Sequence, residues 1–293
     1  MTTTVGEFEI SRVVESEVPF IEPHVFLPDF TPDALEANRD WLEPRFADPT
    51  TGKLVFAFQS YVVRTPRHVI IVDTCVGADK PRPNRPSWHL QQWTYLADLE
   101  RIGVAPEQVD FVMCTHLHID HVGWNTRLKD GRWVPTFPNA KYIFGRTEYE
   151  FWAERDRTGT QGPVPNVFDD SVRPVMEAGQ VELVAMDYEF DKGLWFEPAP
   201  GHTAGNMVIH LESGGAKAVL SGDVLHHPLQ LVRPEWSSRA CEDKALSAST
   251  RRALVERYAD TDTLIAPAHF ASPSIGRIVC SRGAFRYRLA GEP

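Results

Sequence analysis

Thr115–Asn125 reads THLHIDHVGWN, and it packs His116, His118, Asp120 and His121 into six residues. The run just before it, VDFVMC (Val109–Cys114), is apolar and β-branched, as a buried strand that ends there would be. Alternate residues of an extended segment point the same way, so His116 and His118 can face one point. After the turn, Asp120 and His121 can face a second point nearby. Imidazole and carboxylate are the ligand types that borderline divalent metals such as zinc prefer. The plain alternative is a polar loop with surface histidines. With 11 His in 293 residues, three His and an Asp at this spacing behind an apolar strand fit that alternative poorly.

Three later segments offer polar residues in comparable settings. His202 lies in PAPGHTAGN, Asp223 ends the apolar run AVLSGD, and His269 ends TLIAPAH. His-x-His-x-Asp-His after a strand, followed by these three, resembles the signature of the metallo-β-lactamase superfamily over roughly Val55 to Phe270. The resemblance implies an α/β fold, an αββα sandwich of two mixed sheets flanked by helices. It implies a dinuclear centre, most simply two Zn²⁺, at one edge of the sheets. His116, His118 and His202 would hold one ion, and Asp120, His121 and His269 the other, with Asp223 bridging. A metal-bridging hydroxide would be the nucleophile, since a metal brings the pKa of bound water from ~15.7 toward ~7. Asp120 is the residue the resemblance allows to pass a proton to the leaving group.

Branches of the superfamily differ in these residues. Oxygen-reducing di-iron members have Glu where this chain has His118. Many true β-lactamases use Cys or Ser in place of the bridging carboxylate. Glyoxalase II-like thioesterases carry a C-terminal helical domain, for which Phe270–Pro293 is too short. RNA-processing members carry an inserted domain. What remains resembles the lactonase and esterase branch, including N-acyl-homoserine lactonases and methyl parathion hydrolase-like enzymes. The expected function is hydrolysis of a lactone or carboxylic ester, a small-molecule partner. The alternative is phosphotriester or phosphodiester hydrolysis. The best-known lactonases place Tyr three positions after the bridging Asp, where this chain has His226 in GDVLHHPLQ. His226 is therefore a candidate catalytic residue, with packing beside the site as the other reading.

Length and composition set bounds. At 293 residues the length suits one large α/β domain or two small ones, and the resemblance implies a single domain spanning 1–293, with 1–53 as an N-terminal extension. Family analogy lays that extension over the active site. A net charge of −10 argues against nucleic acid, which is bound through Lys and Arg. No apolar run is long enough for a membrane span. The start, MTTTVGEFEI, lacks the pattern of a secretory signal. Cys75, Cys114, Cys241 and Cys280 form no C-x-x-C pair and read as buried reduced thiols, which points to the cytoplasm. A homodimer stays open.

Periodicity gives the elements. LVFAFQSYVVRT and HVIIVDTCVG read as paired strands, the first with one solvated face. GADKPRPNRPSWH, rich in Pro and charge, reads as a loop. LQQWTYLADLERIG reads as a helix, RLKDGRWVP as a hairpin at Asp130-Gly131, and RTEYEFWAERD as a helix capped by Thr147. Asp33 is a candidate cap of a short early helix. A Gly/Pro-rich loop runs between Arg155 and Asn166. VELVAM, GLWFEPAP, MVIHLES and AKAVLSGD read as strands of the second sheet. The late helix DKALSASTRRALVERYADTD offers Leu246, Leu254, Val255 and Tyr258 to the core, and GRIVCSRGAFRYRL reads as a closing strand. Trp88, Trp124, Trp152, Trp195 and Trp236 are candidates for an aromatic pocket or for plain core. Asn125 is expected to cap a helix or to orient substrate.

Overall fold

The structure is a computed structural model and describes residues 2–160, 166–281 and 283–292. In chain order the strands begin with β1 (Thr3–Val5), β2 (Phe8–Ile21), β3 (Leu54–Arg64), β4 (Val69–Val72) and β5 (Phe111–Met113). The hairpin β6 (Thr126–Lys129) and β7 (Arg132–Pro135) follows, then β8 (Lys141–Gly145) and β9 (Val181–Val184). The remainder are β10 (Glu189–Asp191), β11 (Leu194–Pro198), β12 (Met207–Ser213), β13 (Ala216–Gly222), β14 (Leu264–Pro267), β15 (Gly276–Ser281) and β16 (Ala284–Leu289). The helices are α1 (Pro23–Phe26), α2 (Pro32–Glu36), α3 (Arg39–Leu42), α4 (Tyr95–Arg101), α5 (Arg146–Arg157), α6 (Arg173–Glu177), α7 (Leu229–Val232) and α8 (Lys244–Tyr258).

Two mixed seven-stranded sheets result, ordered β1-β2-β3-β4-β5-β8-β9 and β10-β11-β12-β13-β14-β15-β16. The chain divides into two compact units, residues 1–15 with 58–188 and residues 16–57 with 189–293. In the first unit β4, β5, β8 and β9 run parallel. Parallel neighbours need crossovers, and α4 and α5 supply two of them. A run such as Val69–Val72, three of its four residues buried, is the apolar stretch that a covered parallel strand needs. In the second unit β13 and β14 are the parallel pair, joined through α8. Asp73 follows β4, His116 follows β5, Asp223 follows β13 and His269 follows β14. All four stand beyond the carboxyl ends of parallel strands, where open α/β sheets place their ligands.

Several expectations need correction. VELVAM is β9 and pairs parallel with β8 in the first sheet, not the second. Leu54 through Val63 of β3 are all buried, so neither face is solvated. Its polar residues are satisfied internally: Tyr95 donates to Ser60 Oγ at 2.7 Å and Arg12 to Gln59 Oε1 at 2.6 Å. The closing strand is two strands, β15 and β16, paired antiparallel. Leu246 is exposed, and Ser247 and Arg251 are buried on α8 beside Leu254 and Val255. The helix α2 starts at Pro32 with Thr31 before it, because proline suits the first helical position; Asp33 lies inside. The helix α5 starts at Arg146 directly off β8, with Gly145 at the cap, so Thr147 lies inside as well. Cys280 is exposed; the other three thiols are buried, and all four are free. The Gly/Pro-rich loop includes residues 161–165, which lie outside the described residues.

The hairpin turns at Asp130 (φ 51°) and Gly131 (φ 74°), the left-handed pair a two-residue turn requires. No helix among the described residues is long and apolar enough to cross a membrane.

Candidate metal centre

In the first unit the motif hangs from Asp73. The carboxylate accepts from Thr115 N at 2.8 Å and from Thr115 Oγ1 at 2.9 Å, and His121 Nδ1 lies 2.9 Å from Oδ2. Thr74 N donates to His121 O at 2.7 Å. These bonds fix tautomers. Asp73 only accepts, so His121 carries its proton on Nδ1 and keeps a lone pair on Nε2. Thr115 has given its hydroxyl proton to Asp73, so at 3.1 Å it accepts from His116 Nδ1. His116 Nε2 is then a lone pair, and it lies 3.1 Å from His118 Nδ1. Two ~2.05 Å bonds to one tetrahedral ion would set their nitrogens roughly 3.3 Å apart.

The motif loop is braced from outside. Glu148, buried on α5, accepts Leu117 N at 3.0 Å and Trp152 Nε1 at 2.7 Å. Trp152 meets His118 edge to face at 5.4 Å. Downstream, a Cβ on Gly77 (φ +84°) would lie 2.7 Å from Gly123 C, so the two backbones touch only because both are glycine. Glu15 fastens the same region, accepting from Val76 N, Gly77 N and Trp124 Nε1. Burial outweighs those bonds and pushes the Glu15 carboxyl up to about 7.

In the second unit Asp223 gathers three imidazoles. His202 Nε2 lies 3.1 Å from Oδ2, His226 Nε2 3.2 Å from Oδ2, and His269 Nε2 3.0 Å from Oδ1. His269 donates Nδ1–H to Ala57 O at 3.0 Å, and His202 Nδ1 lies 3.6 Å from Cys241 Sγ. With its proton on Nδ1, His269 turns its Nε2 lone pair toward a carboxylate oxygen. Such a pair repels unless positive charge stands between the two atoms. Burial lowers the His202 pKa, but Asp223 and Cys241 outweigh burial and raise it to about 9. The chemistry of this donor set, buried nitrogens converging on a two-sided carboxylate, fits divalent zinc-type ions.

The first unit thus brings His116, His118, Asp120 and His121 together, and the second brings His202, Asp223, His226 and His269 together. His226 is 3% exposed, and burial drives its pKa down to about 4, so the ring is neutral near pH 7. It packs edge to face on Phe26 and stacks with His269. Its Nδ1 has no hydrogen-bond partner among the described residues. The neighbouring ring differs: His227 uses Nε2 on Phe46 O at 2.7 Å and accepts Leu229 N at Nδ1.

Asn125 neither caps a helix nor faces outward. It is buried, accepting Thr74 Oγ1 at 3.0 Å and meeting Cys114 Sγ. Of the five tryptophans, Trp152 touches a motif histidine. Trp124 stacks on Tyr95, Trp88 meets Phe58, Trp236 meets Phe30, and Trp195 stacks on His210. Sequence reasoning missed Asp73, Glu148 and Cys241. A signal existed for Asp73, a carboxylate at the end of a strand. None existed for the other two.

Comparison with known proteins agrees with the motif. A segment of 122 residues is 26% identical to N-acyl homoserine lactonase AiiA of Bacillus thuringiensis subsp. kurstaki, covering 42% of this chain and 40% of that protein. Another of 125 residues is 31% identical to N-acyl homoserine lactonase AttM of Azorhizobium caulinodans, covering 41% and 43%. The chain therefore matches about two fifths of the length of these curated relatives. Among solved structures it is similar in fold to hydrolase AbOPH of the beta lactamase superfamily (TM-score 0.80, 23% identity, 100% of this chain and 97% of that chain). It is similar likewise to AidC, a dizinc quorum-quenching lactonase (TM-score 0.77, 19% identity, 100% and 98%). Residues 59–269, well over half of the chain, match the Metallo-beta-lactamase superfamily, and the chain belongs to it.

Proposed function

We propose that this protein is a dinuclear zinc hydrolase that opens a lactone or cleaves a carboxylic ester. The observation that carries the reading is Asp223, whose two oxygens face different imidazoles, His202 on one and His269 on the other. By the family resemblance, His116, His118 and His202 would hold one ion and Asp120, His121 and His269 the second, with Asp223 serving both. When bound, the ions would lower the pKa of a shared water and polarise the carbonyl under attack. The relatives named as lactonases favour a lactone over other esters.

The chain's own residues do the rest. Asp73 and the Ala57 carbonyl hold His121 and His269 with their Nε2 atoms presented. Asp120, partly exposed, is the carboxylate that carries a proton to the leaving oxygen. His226, neutral near pH 7, offers an N–H to the carbonyl or leaving oxygen. Phe26, from the N-terminal segment, backs His226. In this reading that segment forms part of the substrate's surroundings.

The zinc-loaded protein should contain close to two ions per chain. Its kcat/KM should be highest for an acyl lactone or an aryl ester, ahead of a thioester and a phosphotriester. A folded, active protein with no metal would sink the assignment, and a dominant phosphotriester activity would replace the substrate class.

His226→Ala should lower kcat by on the order of 10²-fold with little change in KM, the loss typical of one donor acting in the transition state. His227→Ala should instead lower thermal stability, because both ring nitrogens of His227 are engaged in packing. Equal, small kinetic effects of the two substitutions at full metal occupancy would remove His226 from the reaction.

A further inference from the structure

The histidines assigned to metal differ in what holds the far side of each ring. Such outer partners are usually a carboxylate, a backbone carbonyl or water. His121 has the Asp73 carboxylate and His269 the Ala57 carbonyl. His202 has a sulfur, Cys241 Sγ at 3.6 Å from Nδ1.

The sulfur sits in a built environment. Ser238 Oγ and Ser247 Oγ each lie 3.3 Å from it. Arg251, fully buried, donates to Ser247 Oγ at 3.3 Å, to Ser237 Oγ at 2.9 Å and to Pro234 O at 2.8 Å. Ser247 takes that N–H on its oxygen, which leaves its own proton available to the sulfur. The backbone around Cys241 is fixed independently of its side chain. Glu242 N donates to His202 O at 2.9 Å and Asp243 N to Gly201 O at 3.0 Å. Gly201 (φ +120°) lies so near α8 that a Cβ would come within 2.2 Å of Ser247 N. The turn that carries His202 and the start of α8 are therefore clamped together, and the sulfur is held where the ring needs an acceptor.

We propose that Cys241 is a positioning residue for His202: its sulfur accepts the Nδ1 proton and so presents Nε2 as the ligand atom. This rests on the assignment of His202 to metal made above. A sulfur acceptor is softer and weaker than the carboxylate that serves His121.

The test uses the full chain loaded with zinc, then with Co²⁺. Cys241→Ala should weaken retention of one of the two ions roughly 10- to 100-fold, read as zinc release to a chromophoric chelator. It should also alter the Co²⁺ absorption spectrum. Cys241→Ser keeps an acceptor and should restore most of the retention. The metal-free forms should unfold at similar temperatures, because the backbone clamp does not need the sulfur. Wild-type zinc retention and an unchanged Co²⁺ spectrum in Cys241→Ala would overturn the proposal. His202→Ala separates this from the assignment beneath it. It should lose an ion whatever Cys241 does, and two ions retained in His202→Ala would remove His202 from the metal centre altogether.

Discussion

Asp223→Ala is expected to lose at least one metal ion per chain and to cut turnover by on the order of 10³-fold or more, beyond the loss of a single transition-state donor. The carboxylate faces His202, His226 and His269, at 3.0 to 3.2 Å. Removing it deletes the group that would sit between two ions and offset their charge. Zinc ligation depends on ligand number and charge as well as geometry. Asp223→Asn tests the charge separately. It keeps the size and one carbonyl oxygen, so it should retain more metal than alanine yet recover little turnover. The fold should persist in both, since Val224 and Leu225 remain buried in the same turn. Metal analysis beside kcat at matched occupancy decides the matter. Wild-type turnover in Asp223→Ala with two ions bound would show that Asp223 does not bridge.

The residues legible in the sequence share one property: their neighbours along the chain announce them. His116 to His121 follow an apolar strand at two-residue spacing, and Asp223 and His269 end apolar runs. Strand ends and polar spacing are local signals, so they survive in one dimension. What failed to show was set by partners far away in sequence. Lys80 and Arg82 stand in a Pro-rich, charged stretch that reads as a loop, yet both are fully buried. Their partner Asp170 lies 88 residues beyond Arg82. The strand β9 has the same alternation as the strands after it, and periodicity carries no information about which sheet a strand joins. Leu246 follows the apolar pattern of α8 yet is exposed, whereas Arg251 is buried because four oxygens await its N–H groups. Cys241 matters through a ring 39 residues earlier, which no spacing rule would connect.

Asp170→Ala is expected to destabilise the protein by about 3–5 kcal/mol, the loss seen when one partner of a buried ion pair is removed. Arg82 gives Asp170 two parallel bonds, at 2.6 and 2.8 Å, and Lys80 lies 3.6 Å from the same carboxylate. Alanine leaves two buried cations without that anion. Lys80 keeps its bonds to Thr126 Oγ1 at 2.6 Å and to the Asp170 carbonyl at 2.8 Å, and it stays over the Trp133 ring. The pH dependence separates lost charge from lost packing. Burial lowers the Lys80 pKa to about 7 against the opposing pull of Asp170. The unfolded lysine, near 10.5, binds a proton that the folded one has released, so this group makes stability rise with pH between about 7 and 10.5. Without Asp170 the folded pKa falls further, and the rise should begin at lower pH. Urea unfolding from pH 6 to 9 reads both effects. Replacing the cluster together, as Lys80→Met and Arg82→Met with Asp170→Leu, should recover much of the loss, because apolar groups of similar volume often substitute for buried ionic groups at little cost. A single-variant loss below about 1 kcal/mol, the scale of an exposed pair, would mean that water reaches the cluster and that the loop from Asp73 to Thr94 is held by other contacts.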